Sequence, residues 1–204
     1  MQVKILFTGE HDNHDLGNGS YMIYPHTSSV TLLWDDKQAI LFDTGSFVYQ
    51  EKLLSELEKC GVHPDDITHI CLTHFHLDHT ANCVLFKNAE VHASISMTDH
   101  KTGRAYIWPN GKPELPLGIE VLKTPGHTPD HVVYFFEVDG LRYCIAGDAV
   151  REDNILEPPH YYNENRKAEM LGWAKEILER ADIIVPGHFK VIEGEFREEL
   201  LGKL

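Results

Sequence analysis

Between Thr73 and His79 the chain reads Thr-His-Phe-His-Leu-Asp-His, which places four metal-competent side chains, His74, His76, Asp78 and His79, within six residues. The segment follows an apolar run, Thr68 to Leu72, that reads as a buried strand. Histidines two apart on an extended chain point the same way. The chain must then turn to bring Asp78 and His79 to a neighbouring position. Imidazole nitrogens and carboxylate oxygens so grouped are ligands for two adjacent cations. Cations of that kind lower the pKa of a bound water towards neutrality and prepare it to attack a carbonyl or phosphoryl centre. The plainer reading of the segment is a histidine-rich surface turn.

Three further pieces weigh against the plainer reading. Thr124-Pro125-Gly126-His127 sets a histidine in a tight turn after a strand, Ala146-Gly147-Asp148 sets an aspartate at a strand end, and Val185-Pro186-Gly187-His188 does the same with a histidine. Each potential ligand stands where an apolar strand gives way to a small-residue loop, and the glycine beside it lets the backbone come close.

The elements that must position these residues are short. Val3 to Phe7, Val30 to Trp34 and Ala39 to Phe42 are β-rich runs, the last two joined by an Asp35-Asp36-Lys37 turn. A helix is expected from about Phe47 to Cys60, stopped at Gly61. Strands are expected at Ile119 to Leu122, Val132 to Val138, Leu141 to Ile145 and Ile183 to Val185. Asp139-Gly140 is a hairpin signal. A second helix is expected from about Asn163 to Arg180. Residues 94–117 and 151–162 carry little regular signal, and long irregular connections in compact domains are usually functional.

Length and composition set the frame. The 204 residues, 42% hydrophobic and 25% charged, suit one well-buried domain spanning 1–204. The four cysteines form no C-x-x-C pair, and Cys71 and Cys144 sit in apolar runs as small hydrophobes. The apolar start at Met1 to Phe7 is too short for a signal peptide or a membrane span, which makes the cytoplasm the default location. The net charge is −14, with 18 basic and 32 acidic side chains, an average field that repels polyanions and argues against a nucleic-acid partner. The oligomeric state is open.

The H-x-H-x-D-H segment, the later G-H, the G-D, the final G-H and the upstream Asp43-Thr44-Gly45 stand in the order found in the metallo-β-lactamase superfamily, which the chain resembles from about Val30 to Ile192. The runs Ser29 to Leu33, Leu117 to His127 and Ala181 to His188 bring it nearest to small cytoplasmic members of that superfamily linked with RNA cleavage. The resemblance implies an α/β fold, a four-layer αβ/βα sandwich of two mixed β-sheets flanked by helices. It implies that His74, His76 and His127 hold a first metal, that Asp78, His79 and His188 hold a second, and that Asp148 bridges the two. Asp43 would orient ligand histidines from behind, against the plainer reading of a residue capping the following helix. Asp78 would also orient the attacking water or take its proton.

The expected activity is metal-dependent hydrolysis, two Zn2+ per chain with iron or manganese as alternatives, in which a metal-bridging hydroxide attacks a small ester, thioester or lactone. A phosphodiesterase or ribonuclease, and an iron-dependent persulfide dioxygenase or a metal-binding protein without turnover, are the competing readings. Asp148 stands where the commonest lactam-cleaving enzymes carry cysteine, which argues against antibiotics as the main substrate. Tyr106, Trp108, His160, Tyr161 and Tyr162 are candidate pocket walls, and Lys101, Arg104, Arg151 and Lys190 candidate contacts for an anionic group. His131 is expected to be structural. His11, His14, His26, His63, His69, His92 and His100 are given no role.

Overall fold

The computed structural model describes residues 1–108, 114–152, 155 and 164–204. Strands β1 (Gln2–Phe7), β4 (Val30–Trp34), β5 (Ala39–Phe42), β6 (His69–Leu72), β7 (Glu90–Ala93), β8 (Ser96–Asp99) and β9 (Ala105–Ile107) form one sheet, in the order β1-β4-β5-β6-β7-β8-β9. Within it β5, β6 and β7 run parallel and the other pairs antiparallel. A second sheet has the order β10-β11-β12-β13-β14: β10 (Glu120–Lys123), β11 (Val132–Val138), β12 (Leu141–Gly147), β13 (Ile183–Pro186) and β14 (Ile192–Glu193). Its one parallel pair is β12 with β13. Strands β2 (Glu10–Asp15) and β3 (Tyr21–Thr27) make a separate antiparallel hairpin.

Side-chain alternation with a period of two sorts the strands into layers. Leu33, Ile40, Phe42 and Cys71 of the first sheet meet Val132, Tyr134, Phe136, Ile145 and Val185 of the second in a buried inter-sheet core. The neighbours on the other pleat face outwards. Leu32, Leu41, Ile70 and Leu72 pack with Leu53 and Leu57 of α1 (Gln50–Lys59). Val133, Phe135 and Cys144 pack with Ala174, Ile177 and Leu178 of α3 (Glu164–Arg180) and Leu200 of α4 (Gly194–Leu201). The result is the helix, sheet, sheet, helix sandwich expected. Each fully buried leucine or phenylalanine in it contributes about 1.5–3 kcal/mol. Among the described residues no helix is long and apolar enough to cross a membrane.

The expected strands and helices appear within a residue or two, apart from the start of the first helix, where Phe47–Tyr49 form a 3₁₀ turn ahead of α1. Four differences stand out. The stretch 94–117, expected to be irregular, contains β8 and β9. Strand β7, the hairpin β2–β3 and the C-terminal pair β14 and α4 were not anticipated. These strands have two to seven residues, and β9 and β14, of three and two residues, are too short to display an alternation. They become strands because a neighbour presents free backbone groups to them.

Two contacts between the sheets place the site. Tyr134 Oη donates to the Leu72 carbonyl (2.8 Å), and Val132 N–H donates to the Thr73 carbonyl (2.9 Å). They pin the end of β6, and the histidine segment after it, against β11.

Candidate metal centre

The parallel strands β5 and β6 end side by side, as do β12 and β13, while β10 runs in the same sense two strands from β12. Each delivers chemistry from its carboxyl end. β5 gives Asp43, β6 gives His74 and His76, β10 gives His127, β12 gives Asp148 and β13 gives His188. Asp78 and His79 follow on the single turn α2 (Leu77–Thr80). Backbone hydrogen bonds lock these ends together: Gly187 N to Gly147 O (2.7 Å), Thr44 N to His79 O (2.7 Å) and Ser28 N to Asp78 O (3.1 Å).

Seven side chains gather there as two triads and a shared carboxylate. His74, His76 and His127 have ring centroids 4.5 to 4.8 Å apart, and His76 Nδ1 lies 3.0 Å from His127 Nε2. In the other triad, Asp78 Oδ2 lies 3.4 Å from His79 Nε2 and 3.3 Å from His188 Nε2. Asp148 stands between them. Its Oδ2 is 3.3 Å from His127 Nε2, and its Oδ1 is 3.5 Å from His79 Nε2 and 3.6 Å from His188 Nε2. His74, Asp78, His79, Asp148 and His188 are buried, His127 is half-buried and His76 is exposed. The cluster therefore opens to solvent on the His76 side.

The donor set fits cations. Among the described residues His74 Nε2, His79 Nε2, Asp78 Oδ2 and Asp148 Oδ1 are buried without an aligned hydrogen-bond partner. Each such atom costs about 1–3 kcal/mol when left unpaired, and here they converge. The opposite ring atoms are anchored. His79 Nδ1 faces Asp43 Oδ2 (2.8 Å), His188 Nδ1 faces the Thr27 carbonyl (3.0 Å) and His74 Nδ1 faces Thr73 Oγ1 (3.1 Å). A proton on Nδ1 of His79 and His188 leaves Nε2 as the free lone pair, the usual arrangement behind a ligating histidine.

Electrostatics point the same way. Burial pushes His127 down to about 4 against the pull of Asp148, and it holds His74 far below the usual histidine range. Burial opposes ionisation of Asp148, yet His188, His127 and His79 hold its carboxyl well below the ordinary value. His79 runs opposite. Burial disfavours its charged ring, but Asp43 and Asp148 raise it well above the ordinary value. Three carboxylates thus attract positive charge into one buried space.

Asp43 accepts from Thr73 N–H (2.8 Å) and Thr73 Oγ1 (2.9 Å) besides facing His79, so it braces the histidine segment, and the helix-capping alternative has no hydrogen bond to support it among the described residues. Its φ of +53° turns the chain out of β5. His131 is structural, as expected: Nδ1 donates to Thr124 Oγ1 (2.8 Å) and Nε2 accepts from Asp148 N–H (3.1 Å). Burial lowers its pKa to about 3, which keeps Nε2 an acceptor. At Gly187 a Cβ would lie 2.2 Å from Asp148 Oδ1 and 2.9 Å from His79 Cε1, so only glycine lets this backbone pass.

Other expected site residues fall elsewhere. Tyr106 and Trp108 sit together at the β9 end of the first sheet, and Trp108 stacks on His92. His160, Tyr161 and Tyr162 lie outside the described residues. Arg151 is buried with Nη1 3.4 Å from Asp148 Oδ2, so its guanidinium is engaged with the shared carboxylate. Lys101 and Arg104 are exposed at the β8–β9 turn, and Lys190 lies over the Phe196 ring. Two residues were missed. His26 Nε2 lies 3.2 Å from Asp78 Oδ2, and the His11 ring is 4.8 Å from that of His188. Both come from the β2–β3 hairpin, whose turn Gly17-Asn18-Gly19 is the signal that would have found them.

Comparison with known proteins decides the family. Residues 23–188 match the family profile described as Metallo-beta-lactamase superfamily. The chain belongs to that superfamily. It is accordingly a metal-binding hydrolase. Metallo-beta-lactamase domain-containing protein 1 of Xenopus laevis is 31% identical over 190 residues, 84% of this chain and 76% of the relative. An N-acyl homoserine lactonase of Bacillus thuringiensis is 26% identical over 104 residues, 44% of this chain and 41% of that protein. Among solved structures, a metallo-beta-lactamase-type protein from Thermotoga maritima superposes with a TM-score of 0.70 at 22% identity, covering 95% of this chain and 99% of its own. That likeness establishes the four-layer fold and nothing finer.

Proposed function

We propose that this chain is a dinuclear zinc hydrolase of small esters, thioesters or lactones. One observation carries the reading: the Asp148 carboxylate reaches both triads, one oxygen to each. In it His74, His76 and His127 hold one ion, Asp78, His79 and His188 the other, and Asp148 both. An all-nitrogen and oxygen donor set of this kind suits zinc. Zinc in this centre supplies Lewis acidity and a water that ionises near neutral pH.

The chain's own groups do the rest. Asp78 positions the attacking water and takes up its proton, and His26, beside the Asp78 carboxylate, limits its swing. Asp43 and the Thr27 carbonyl fix the rings of His79 and His188. Exposed His76 marks the side from which substrate enters. A carbonyl substrate is supported by the partial likeness to a lactonase and by the net charge of −14, which disfavours a phosphate backbone.

The test is a side-by-side assay of the zinc-loaded chain. The substrates are p-nitrophenyl acetate, a lactone and thioester panel, bis-p-nitrophenyl phosphate and single-stranded RNA. Carbonyl turnover is expected to exceed phosphodiester turnover. Cleavage of RNA with no turnover of any carbonyl substrate would overturn the substrate class.

A further inference from the structure

A second cluster of ligand atoms lies on the first sheet, upstream of the centre. His69 opens β6 and pairs in register with Glu90, which opens β7; His92 stands two residues beyond Glu90 on the same face. His69 is five residues before His74 on the same run of chain, about 16 Å away at the rise of a strand. Glu90 Oε2 lies 3.6 Å from His69 Nε2 and 3.7 Å from His92 Nε2, and the two rings stack at 5.5 Å. These separations are close to the 3.3 to 3.6 Å from the Asp78 and Asp148 carboxylates to the histidine nitrogens of the main centre. They are also near the roughly 3.4 Å expected of tetrahedral neighbours around zinc.

The hydrogen bonding leaves the cluster without its own compensation. The Thr68 hydroxyl donates its one proton to the Gln38 side chain or the Ala39 carbonyl, so at 2.9 Å it accepts from His69 Nδ1–H. That tautomer turns a bare Nε2 lone pair towards the Glu90 carboxylate. His92 is 4% exposed, and among the described residues neither of its ring nitrogens has a hydrogen-bond partner. Two imidazole nitrogens and a carboxylate oxygen converge at these distances with no positive charge between them.

We infer that His69, Glu90 and His92 form a further divalent-cation site, for zinc, separate from the Asp148 centre. The set is two histidines and one carboxylate, a known zinc donor set that leaves a position for water. Glu90, 43% exposed at its side chain, puts the solvent side of the cluster at its carboxylate. The ion ties β6 to β7, and the stacked Trp108 covers the His92 ring. Because the ion binds the folded chain only, it adds to stability by mass action.

The experiment is equilibrium dialysis of the full chain against buffered micromolar zinc, followed by elemental analysis. Glu90→Gln and His92→Gln are compared with wild type, with circular dichroism to confirm folding. Each variant is expected to hold one zinc fewer than wild type and to lose part of the zinc-dependent rise in Tm. Ester hydrolysis by Glu90→Gln should equal that of wild type. Glu90→Gln is the decisive variant, since a half-exposed isosteric change leaves the fold intact. Zinc content equal to wild type in Glu90→Gln would overturn the site. A His79→Ala, His188→Ala double variant, which removes the second triad's zinc and keeps the first triad, separates the sites: adding Glu90→Gln to it is expected to lower the zinc content by one further equivalent.

Discussion

Asp43 touches no substrate in this account, yet it decides where His79 points. Its carboxylate receives Thr73 N–H and Oγ1 and faces His79 Nδ1. Losing such a brace typically costs about 10- to 100-fold in metal affinity or activity. Asp43→Ala is therefore expected to fold and to bind zinc that much more weakly, measured by competition with a chelating dye; unchanged affinity would reduce Asp43 to a turn residue. Gly187 tests the packing around the shared carboxylate. Gly187→Ala forces a Cβ against Asp148 Oδ1, so a destabilisation of about 1–3 kcal/mol and a lower zinc content are expected together in denaturant titration and elemental analysis. Asp148→Asn withdraws negative charge from both triads and is expected to empty the second site at zinc concentrations that fill it in wild type. At this scale the sequence was legible wherever a ligand followed an apolar strand. His74, His127, Asp148 and His188 could all be read that way, and the role of Asp43 came from the family resemblance. His26 and His92 were not legible, because each gains meaning from a residue distant in sequence: His26 from Asp78 on α2, once the hairpin turn places it there, and His92 from His69 on the neighbouring strand.

At the scale of elements, the strands that deliver the centre are the ones the sequence announces best. Val30–Trp34, Ala39–Phe42 and Val132–Val138 are strongly apolar because both their faces are covered, one by a helix and one by the other sheet. β8 and β9 lie towards the open edge and carry exposed residues such as Tyr106 and Ile107, so no such signal marks them. The β2–β3 hairpin is polar along β2 and mostly exposed. It reaches the centre through His11, His26 and the Thr27 carbonyl that faces His188 Nδ1. His26→Ala should therefore leave zinc content unchanged while lowering kcat about tenfold, the lower end of what a supporting residue contributes. Steady-state kinetics beside elemental analysis read this out, and a kcat equal to wild type would remove His26 from the account.

For the whole molecule, the inter-sheet core joins residues from Leu33 to Val185, and we propose that the 204 residues fold as one unit. Near-UV and far-UV circular dichroism should then lose signal at the same denaturant concentration, whereas separate transitions would divide the chain. Net charge acts at this scale too. At −14 the average field repels polyanions, so weak RNA binding that disappears with added salt is expected of the zinc-loaded chain. What carries the whole account is the placement of Asp148 between the two triads. Anomalous scattering from a zinc-loaded crystal at the zinc absorption edge tests it directly. The account predicts two peaks, one among His74, His76 and His127 and one among Asp78, His79 and His188, with the Asp148 carboxylate in contact with both. A single peak within those seven residues, or none, would contradict it.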